Sequence, residues 1–393
     1  MKQVEMTAQD NEPDPQILEE KLAAAREELL SEYRENHSHP WIIGFSGGKD
    51  STLVTQLVFE MLLDLAPSDR IREVHVVAND TLVESPVLME HIDEQLERFQ
   101  KVTDSLRLPV KVTKTAPPKD QTFWVNLIGR GYPSPSRNFR WCTDRMKIQP
   151  TSHYIKSQVA EKGTAILLLG VRREESATRA ASVNRYSNGE RLNPHNSLQG
   201  CLVFRPIVDF TTNEVWELLL QRRPPWGGSH RDLVTMYRNA HGGECPLVTD
   251  KSQAPSCGTS SSRFGCWTCT VVTKDRSMGS LIDAGYEHLE PLMDFRDWLA
   301  EIRNDQSRRM ARRRSGTVTY MANGNLVPGP FTYEARREIL DRLLELQEEV
   351  GQTLITQEEV DLIKRIWSED ASKDLERWMI DQAGDEELAA SDA

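Results

Sequence analysis

The feature that most constrains the fold is a short apolar run that ends in a glycine-rich turn and leads into a helical pattern. The run covers residues 41–45, the turn covers residues 46–51, and the apolar residues that follow recur with helical spacing. A strand, a turn and a helix in this order bring unpaired amide groups and the positive end of the helix dipole to the turn. The segment therefore predicts an anion-binding loop.

The residue types of this turn suit the phosphates of ATP. Glycine lets the backbone approach a phosphate closely, and serine hydroxyls donate hydrogen bonds to phosphate oxygens. Lys49 adds a positive charge, and with Asp50 it is a candidate catalytic residue. Asp50 stands where the Walker A pattern has Ser or Thr, which disfavours kinase-like phosphoryl transfer. The predicted ligands of ATP in the turn are Ser46, Gly47, Gly48, Lys49, Asp50 and Ser51.

Further strand patterns alternate with helical patterns after this turn, at residues 72–80, 109–117, 164–172 and 202–210. This alternation predicts an α/β fold whose parallel sheet has helices on both faces. Ligands of such sheets bind beyond the carboxyl ends of the strands. There we predict Asp80 to position Mg²⁺ or a ribose hydroxyl, with a turn or capping role as its alternative. We also predict Gly170 and Arg172 to contact the nucleotide, Arg172 through a phosphate.

The 393 residues exceed one typical domain of roughly 150 residues. No apolar run approaches the ~20 residues of a membrane-spanning helix, and the polar start lacks a secretory signal. We therefore expect a cytoplasmic protein without a membrane partner. The predicted regions are a lead helix with a flexible start (1–36), a nucleotide-binding domain (37–223), a cysteine-rich lobe (224–300), and a basic segment with a helical C-terminal region (301–393).

Two basic segments are candidate contacts for nucleic acid. Residues 130–147 combine cations with aromatic side chains, which suits phosphate binding and base stacking, although a solvated basic loop is the alternative. There we predict Arg137, Arg140 and Arg145 to bind the substrate. Residues 303–314 hold six arginines, which fit a nucleic-acid backbone, an arginine-rich helix face or a partner-docking surface. The net charge of -12 argues against nonspecific coating of nucleic acid.

Four of the six cysteines fall within residues 245–269. In a reducing compartment such a group indicates metal or sulfur chemistry rather than disulfides. Spacing alone leaves zinc and an iron-sulfur cluster open. Cys142 lies among cations that would lower its thiol pKa and favour a reactive thiolate, so it is a candidate catalytic persulfide carrier or an additional cluster ligand. The predicted metal ligands are Cys245, Cys257, Cys266 and Cys269.

These motifs together resemble the PAPS-reductase-like branch of the PP-loop ATP pyrophosphatases, and within it the DndC-type sulfurtransferases of DNA phosphorothioation. An SspD-type relative also fits. The strings that carry the resemblance are GFSGGKDST, DTLVESPV, FWVNLIGRGYPSPSRNFRWCTDRMKI, LGVRREES, GECPLV and SCGTSSSRFGCWTCTVV. The resemblance implies an adenine nucleotide alpha hydrolase-like fold, cleavage of ATP to AMP and pyrophosphate, and a 4Fe-4S cluster. It also implies DNA as substrate, a cysteine desulfurase as sulfur donor, other phosphorothioation proteins as partners, and a place in bacterial restriction-modification.

Three other functions are compatible with parts of this pattern. A sulfonucleotide reductase of this fold needs a nucleophilic cysteine near its C-terminus and adjacent cysteines in its first cluster motif. No cysteine follows Cys269, and Trp141 precedes Cys142, so this function is disfavoured. A tRNA thiolase remains open because it also couples such a loop to cysteine sulfur chemistry. The non-enzymatic alternative is a nucleic-acid-binding module, which the intact loop disfavours.

Overall fold

The computed structural model describes residues 13–175, 180, 181, 184, 190–240 and 265–373. Its sheet contains Trp41–Phe45 (β1), Val74–Asn79 (β2), Val110–Thr115 (β3), Ala165–Leu168 (β4), Leu192–Pro194 (β5) and Cys201–Phe204 (β6). The spatial order is β3-β2-β1-β4-β6-β5. All pairs are parallel except β5 with β6, which is antiparallel. The predicted α/β fold with a mostly parallel sheet is therefore confirmed.

Helices connect these strands and continue after them. They are Pro15–Arg34 (α1), Lys49–Asp64 (α2), Pro86–Leu106 (α3), Gln149–Lys162 (α4), Thr212–Gln221 (α5), Arg231–Asn239 (α6), Arg276–Asp283 (α7), Glu290–Ile302 (α8), Tyr333–Val350 (α9) and residues 357–373 (α10). Two π-helical turns, Val125–Gly129 and Thr143–Ile148, lie between β3 and α4. Over the described ranges, no helix is long and apolar enough to cross a membrane.

The two faces of the sheet are covered by different helices because successive strand side chains point to opposite faces. Ile43 of β1 belongs to the larger core, which also contains apolar residues of α1, α2, α3, α5 and α6. Its neighbour Ile42 faces the other way and packs with Ile155 of α4. Burying a side chain of this size contributes roughly 1.5–3 kcal/mol. This packing leaves the carboxyl edge of the sheet to the loops.

A second hydrophobic core lies away from the sheet and joins segments that are distant in sequence. It combines the first π-helical turn with α7, α8, α9 and α10. Trp124 donates from Nε1 to the carbonyl of Leu354 at 2.7 Å, and Trp367 donates to the carbonyl of Ile128 at 2.9 Å. The predicted helical C-terminal region is confirmed. The predicted boundaries at residues 36, 223 and 300 stay predictions.

The basic stretch 303–314 is not the arginine-rich helix that the sequence allowed, because α8 ends at Ile302 and only one short turn follows. Arg303 donates to the carbonyls of Pro135 and Thr270 at 2.9 and 2.8 Å. Arg314 forms an ion pair of 2.6 Å with Asp370 of α10. These bonds join the basic stretch to the arginine segment, to the chain after the C-x-x-C and to α10.

Candidate functional site

The glycine-rich turn lies between β1 and α2, as predicted. Gly47 has a φ of +72°, a left-handed conformation that favours glycine. The amide of Ser46 donates to Oγ of Ser51 at 3.2 Å, which closes the turn over the start of α2. The first amides of a helix lack acceptors within the helix, so they point at whatever occupies the turn. The turn therefore has the geometry of an anion-binding loop.

Asp50 lies between two buried cations beside this turn. Its Oδ2 is 3.1 Å from Nζ of Lys49, and its Oδ1 is 2.6 Å from Nε of Arg172. Lys49 is 3% exposed and Arg172 is fully buried. Arg172 is also paired with Glu174 at 3.1 Å. The first amides of α2 and the positive end of its dipole favour a phosphate group in the turn.

The role expected for Arg172 is corrected by its partners. Its guanidinium also donates to Glu174 at 3.1 Å, to the carbonyl of Phe210 at 3.3 Å and to Thr212 at 3.0 Å. With no exposed surface and every donor nitrogen bonded to protein, it does not contact a phosphate directly. Arg172 instead fixes the carboxylate of Asp50 and through it the position of Lys49.

Gly170 contributes to the loop by its lack of a side chain. A Cβ at this position would lie 2.7 Å from the carbonyl carbon of Asp50 and 2.8 Å from its oxygen. Such contacts are closer than real Cβ atoms allow, so only glycine lets the chain after β4 pass behind the loop. Gly170, which was predicted to contact the nucleotide, thus packs against the first turn of α2.

Asp80 has the turn geometry that was its alternative role. Its Oδ1 accepts the amide of Leu82 at 2.7 Å, and its Oδ2 is 3.6 Å from Nζ of Lys114. Leu82 itself has a φ of +64°. The carboxylates of Asp50 and Asp80 are therefore both paired with cations. Mg²⁺ commonly keeps to substrate phosphates with few protein carboxylates, so it would enter with the nucleotide rather than through a protein cage.

Tyr237 is part of the loop's surroundings and was missed from the sequence. Its hydroxyl oxygen accepts the amide of Lys49 at 3.4 Å, and its ring centroid is 5.8 Å from Nζ of the same lysine. A Cβ at Gly48 would lie 3.1 Å from that hydroxyl. The ring packs edge-on against Trp216 at 5.0 Å. No motif in the sequence indicated this residue, because Tyr237 has the spacing of one more apolar position of α6.

The C-x-x-C segment docks on the loop that follows β2. The amide of Trp267 donates to the carbonyl of Val83 at 3.0 Å, and Sγ of Cys266 is 3.4 Å from Oγ1 of Thr81. The π-helical turn after Cys142 docks at the same place, because Asn79 donates from its amide to the carbonyl of Met146 at 2.9 Å. The described cysteines of both segments thus lie at the carboxyl end of β2, which neighbours β1.

The electrostatics of these thiols contradict the reactive thiolate expected at Cys142. Burial raises the pKa of the Cys142 thiol, and the nearby Cys269 raises it further. Burial also raises the pKa of Cys266, with Glu84 adding to the effect. Lys147 opposes the increase at both thiols, but it also forms an ion pair of 2.8 Å with Glu84. Desolvation therefore outweighs the neighbouring positive charge.

Three of the predicted sulfur residues are described, and each is a free, partly exposed cysteine: Cys142, Cys266 and Cys269. Cys245 and Cys257 lie outside the described residues. Thiols suit an iron-sulfur cluster as donors. In the part of the chain that the structure covers, however, no three metal-binding side chains are close enough to hold a metal ion. The described thiols therefore match a cluster in chemistry but do not form a complete site by themselves.

Buried Arg296 of α8 holds the chain that follows these thiols. Its guanidinium donates to the carbonyl of Cys269 at 2.8 Å, to that of Thr273 at 3.1 Å and to that of Val272. One fixed cation satisfying several carbonyls of a short segment gives that segment a defined shape. The backbone at Cys269 is therefore held in place by α8 through Arg296.

A cavity of about 570 Å³ opens at Thr270, the residue that follows Cys269. Its lining joins the arginine segment, the chain after the C-x-x-C and α8, namely Ser136, Arg137, Asn138, Thr270, Val271, Val272, Thr273, Asp297, Ala300, Glu301 and Arg303. Arg140 is exposed outside this lining. Arg145 instead donates to Asn126 at 3.0 Å and to the hydroxyl of Tyr132 at 3.1 Å. Of the arginines predicted to bind substrate, Arg137 faces the cavity and Arg145 faces the protein.

Parts of this chain are similar to known proteins. Two uncharacterised proteins of Methanocaldococcus jannaschii are 24% and 28% identical to it, over 49% and 50% of this chain. The matched regions span 34% and 40% of those relatives' own length. Among solved structures, the PAPS reductase of Candida auris in its phosphate complex is 12% identical, with a TM-score of 0.34, 53% of this chain and 87% of that chain covered. The U34-tRNA thiolase NcsA of Methanococcus maripaludis, with its 4Fe-4S cluster, is 12% identical to this chain, with a TM-score of 0.35. The match covers 61% of this chain and 78% of that chain.

A family model describes more than half of the sequence. The model of the phosphoadenosine phosphosulfate reductase domain matches residues 40–272, from the residue before β1 to beyond the C-x-x-C. The match includes the glycine-rich loop, the arginine segment and the cysteines. The chain therefore belongs to the phosphoadenosine phosphosulfate reductase domain family.

Proposed function

We propose that this protein is an ATP-dependent sulfurtransferase that places sulfur on a backbone phosphate of DNA, as the DndC-type enzymes do. The observation that carries this proposal is the common position of two chemistries. The nucleotide loop follows β1, and Cys142 and Cys266 belong to segments that dock at the end of the neighbouring β2. An activated phosphate and a sulfur donor can meet at one edge of the sheet.

The nucleotide loop supports the activation step. A non-bridging oxygen of the DNA phosphate attacks the α-phosphorus of ATP, the bond to the β-phosphate oxygen breaks, and pyrophosphate leaves. The positive charge around Lys49 and the first amides of α2 stabilise the departing pyrophosphate. The DNA oxygen is then part of a linkage to AMP, which is a much better leaving group than oxide.

The thiol segments support the second step. A persulfide sulfur carried by a thiol attacks the activated DNA phosphorus, and AMP leaves with the former DNA oxygen. A reducing thiol then attacks the sulfur-sulfur bond, forms a disulfide and leaves sulfur on phosphorus. Arg137 lines the cavity at Thr270, where its guanidinium can hold the DNA phosphate. Bound at these thiols, a 4Fe-4S cluster would supply iron as a site for sulfur.

The enzymatic part of this proposal is tested by products of ATP cleavage. We expect AMP and pyrophosphate rather than ADP from purified protein with DNA and a sulfur donor. Mass spectrometry of nuclease-digested DNA should then show sulfur-linked dinucleotides only in cells that carry the gene. Sulfur-linked dinucleotides that persist without the gene would rule out this function. Loss of thiolated tRNA nucleosides instead would favour the tRNA thiolase.

Cys142 provides a test of whether ATP cleavage and sulfur transfer depend on different residues. Replacing it in Cys142→Ala should abolish sulfur incorporation while pyrophosphate release continues, because the thiol lies outside the nucleotide loop. Cys201→Ala is the matched control, since Cys201 is a buried thiol in β6 whose pKa is raised to about 11 by burial. Unchanged sulfur incorporation in Cys142→Ala would contradict a sulfur role for this residue.

A further inference from the structure

A short hairpin, residues 317–327, lies in the chain between α8 and α9. Tyr320 is paired with Leu326 on the opposite arm in an antiparallel bridge. Towards the tip, the amide of Met321 donates to the carbonyl of Asn325 at 2.8 Å. The backbone of this hairpin therefore has a defined shape.

The hairpin exposes large apolar side chains. Tyr320 is 64% exposed, Met321 is 51% exposed and Val318 is 39% exposed. A single exposed apolar residue is common on protein surfaces, whereas these three lie within four consecutive residues. A group of apolar side chains that is kept at the surface indicates contact with a partner.

The charge around the hairpin indicates what kind of partner it fits. The chain has 60 acidic residues, yet none lies between Asp305 and Glu334, an interval that contains five arginines. Arg308 and Arg314 are paired with carboxylates of α9 and α10, whereas Arg313 is exposed. A locally basic surface in a chain of net charge -12 complements a polyanion. Cations beside an exposed aromatic ring suit nucleic acid, because every base offers a face for stacking.

The hairpin is attached to the arginine segment, residues 130–147. The amide of Phe331, just after the hairpin, donates to the carbonyl of Gly131 at 2.7 Å. Arg314, just before the hairpin, donates to the carbonyl of Arg130 at 3.4 Å. The hairpin thus adjoins the segment that is proposed to hold the DNA phosphate, which favours DNA over an acidic protein as its partner.

We propose that the hairpin 317–327 is a DNA-contacting element and that the ring of Tyr320 stacks on an unpaired base. The inference rests on the proposed action on DNA. Inside a duplex the faces of a base are covered by its neighbours, so an exposed ring stacks on a base that has left the duplex. Met321, the next residue, adds an adaptable apolar contact beside that base. Because all bases have a stacking face, this contact binds DNA without selecting its sequence.

The test separates stacking from charge. Tyr320→Ala removes an exposed ring, and the loss of one stacked base should weaken binding of a labelled single-stranded oligonucleotide roughly 10-fold. The slope of log affinity against log salt should keep its wild-type value, because stacking neutralises no phosphate. The affinity for a duplex of the same sequence should fall less. Fluorescence anisotropy measures all three quantities.

Two variants serve as controls. Tyr320→Phe keeps the ring and should bind the single strand like the wild type. Ile71→Ala also removes an exposed apolar side chain, since Ile71 is 82% exposed, but it precedes β2 at the edge of the sheet opposite to the nucleotide loop. This variant should also keep the wild-type affinity.

Three results would overturn the inference. Wild-type affinity of Tyr320→Ala for the single strand would indicate a protein partner for the hairpin instead. An equal loss for the duplex, or a changed salt slope, would exclude stacking on an unpaired base. If Tyr320→Ala loses affinity as expected but the wild type incorporates no sulfur, the proposed function fails and this inference stands. If the wild type binds no DNA, both fail together.

Discussion

At the scale of single residues, the nucleotide loop depends on contacts that leave no room for other side chains. Gly170 is the clearest case, because the chain after β4 touches the backbone of Asp50 there. The amides of this turn bind phosphate only if their directions are kept, and a shift of about 1 Å in a catalytic group can cost on the order of 100-fold in rate. The loop is thus sensitive to a single methyl group behind it.

This sensitivity predicts the effect of Gly170→Ala. The added methyl must displace the backbone of Asp50, so we expect ATP cleavage to fall at least about 10-fold, with weaker ATP binding. Gly279→Ala is the control, because a Cβ at Gly279 meets nothing within 4 Å and the residue lies inside helix α7. Rates of AMP formation measure both. Wild-type activity of Gly170→Ala would show that the loop tolerates a shift.

Much of the loop was predictable at this scale, whereas its supports were not. Strand, turn and helix follow from local pattern, so Ser46 to Ser51 were assigned from the sequence. The buried pairing of Arg172 with Asp50 joins residues that are far apart in the chain, and no periodicity reports it. The raised pKa of Cys142 was mispredicted for a similar reason, because burial depends on tertiary packing rather than on neighbouring charges in the sequence.

At the scale of elements, the segment before α6 is attached to α2 through a buried histidine. His230 lies within 2.6 Å of the side-chain oxygen of Gln56 on α2, with the ring of Trp226 nearby. The pKa of His230 is lowered to about 4, mainly by burial and also by His91 of α3, whereas Glu60 of α2 opposes the shift. The folded protein therefore keeps this imidazole neutral at pH values where an unfolded chain protonates it.

The consequence is a loss of stability in mild acid. Between the ordinary pKa of 6.5 and the lowered value of about 4, the unfolded chain binds a proton that the folded chain does not. The free energy of unfolding therefore falls as pH decreases through this window, by on the order of 2–3 kcal/mol from this group.

His230→Gln keeps a donor for Gln56 and removes the titration, so it should lose less stability than wild type from pH 7 to pH 5. Urea unfolding at both pH values measures this difference. The exposed His153 provides the control in His153→Gln. Equal losses for wild type and His230→Gln would contradict the prediction.

Elements with a regular spacing of apolar residues were predicted from the sequence, whereas short or irregular elements were not. The parallel strands and α2, α3 and α9 have clear apolar spacing, and all were expected. The antiparallel β5 has only three residues and no alternation, so nothing in the sequence distinguishes it from a loop. Residues 141–144 were assigned to the end of a Gly/Pro-rich loop, yet they begin a helical segment that contains the π-helical turn Thr143–Ile148 and continues into α4.

At the scale of the whole molecule, the net charge and the proposed substrate have the same sign. A chain of net charge -12 repels nucleic acid at long range, so any DNA binding must come from a local group of cations. Many arginines are not available for this, since Arg145, Arg303 and Arg314 donate to protein acceptors. Arg137, which lines the cavity, and Arg140, which is exposed, are the contacts that we predict for the DNA backbone.

The salt dependence of DNA binding should report these two arginines. Each contact between an arginine and a phosphate of duplex DNA changes the slope of log affinity against log salt by about 0.9. We therefore expect Arg137→Gln and Arg140→Gln each to reduce the steepness of that slope by about one, and the double variant by about two. Fluorescence anisotropy with a labelled duplex between 50 and 200 mM salt, roughly the range where such slopes are resolved, measures the slope.

Lys101→Gln is the control, because Lys101 is an exposed cation of α3 paired with Glu97 at 2.8 Å. If all variants keep the wild-type slope, the DNA backbone lies elsewhere on the molecule, and the cavity at Thr270 is not where the phosphate is held.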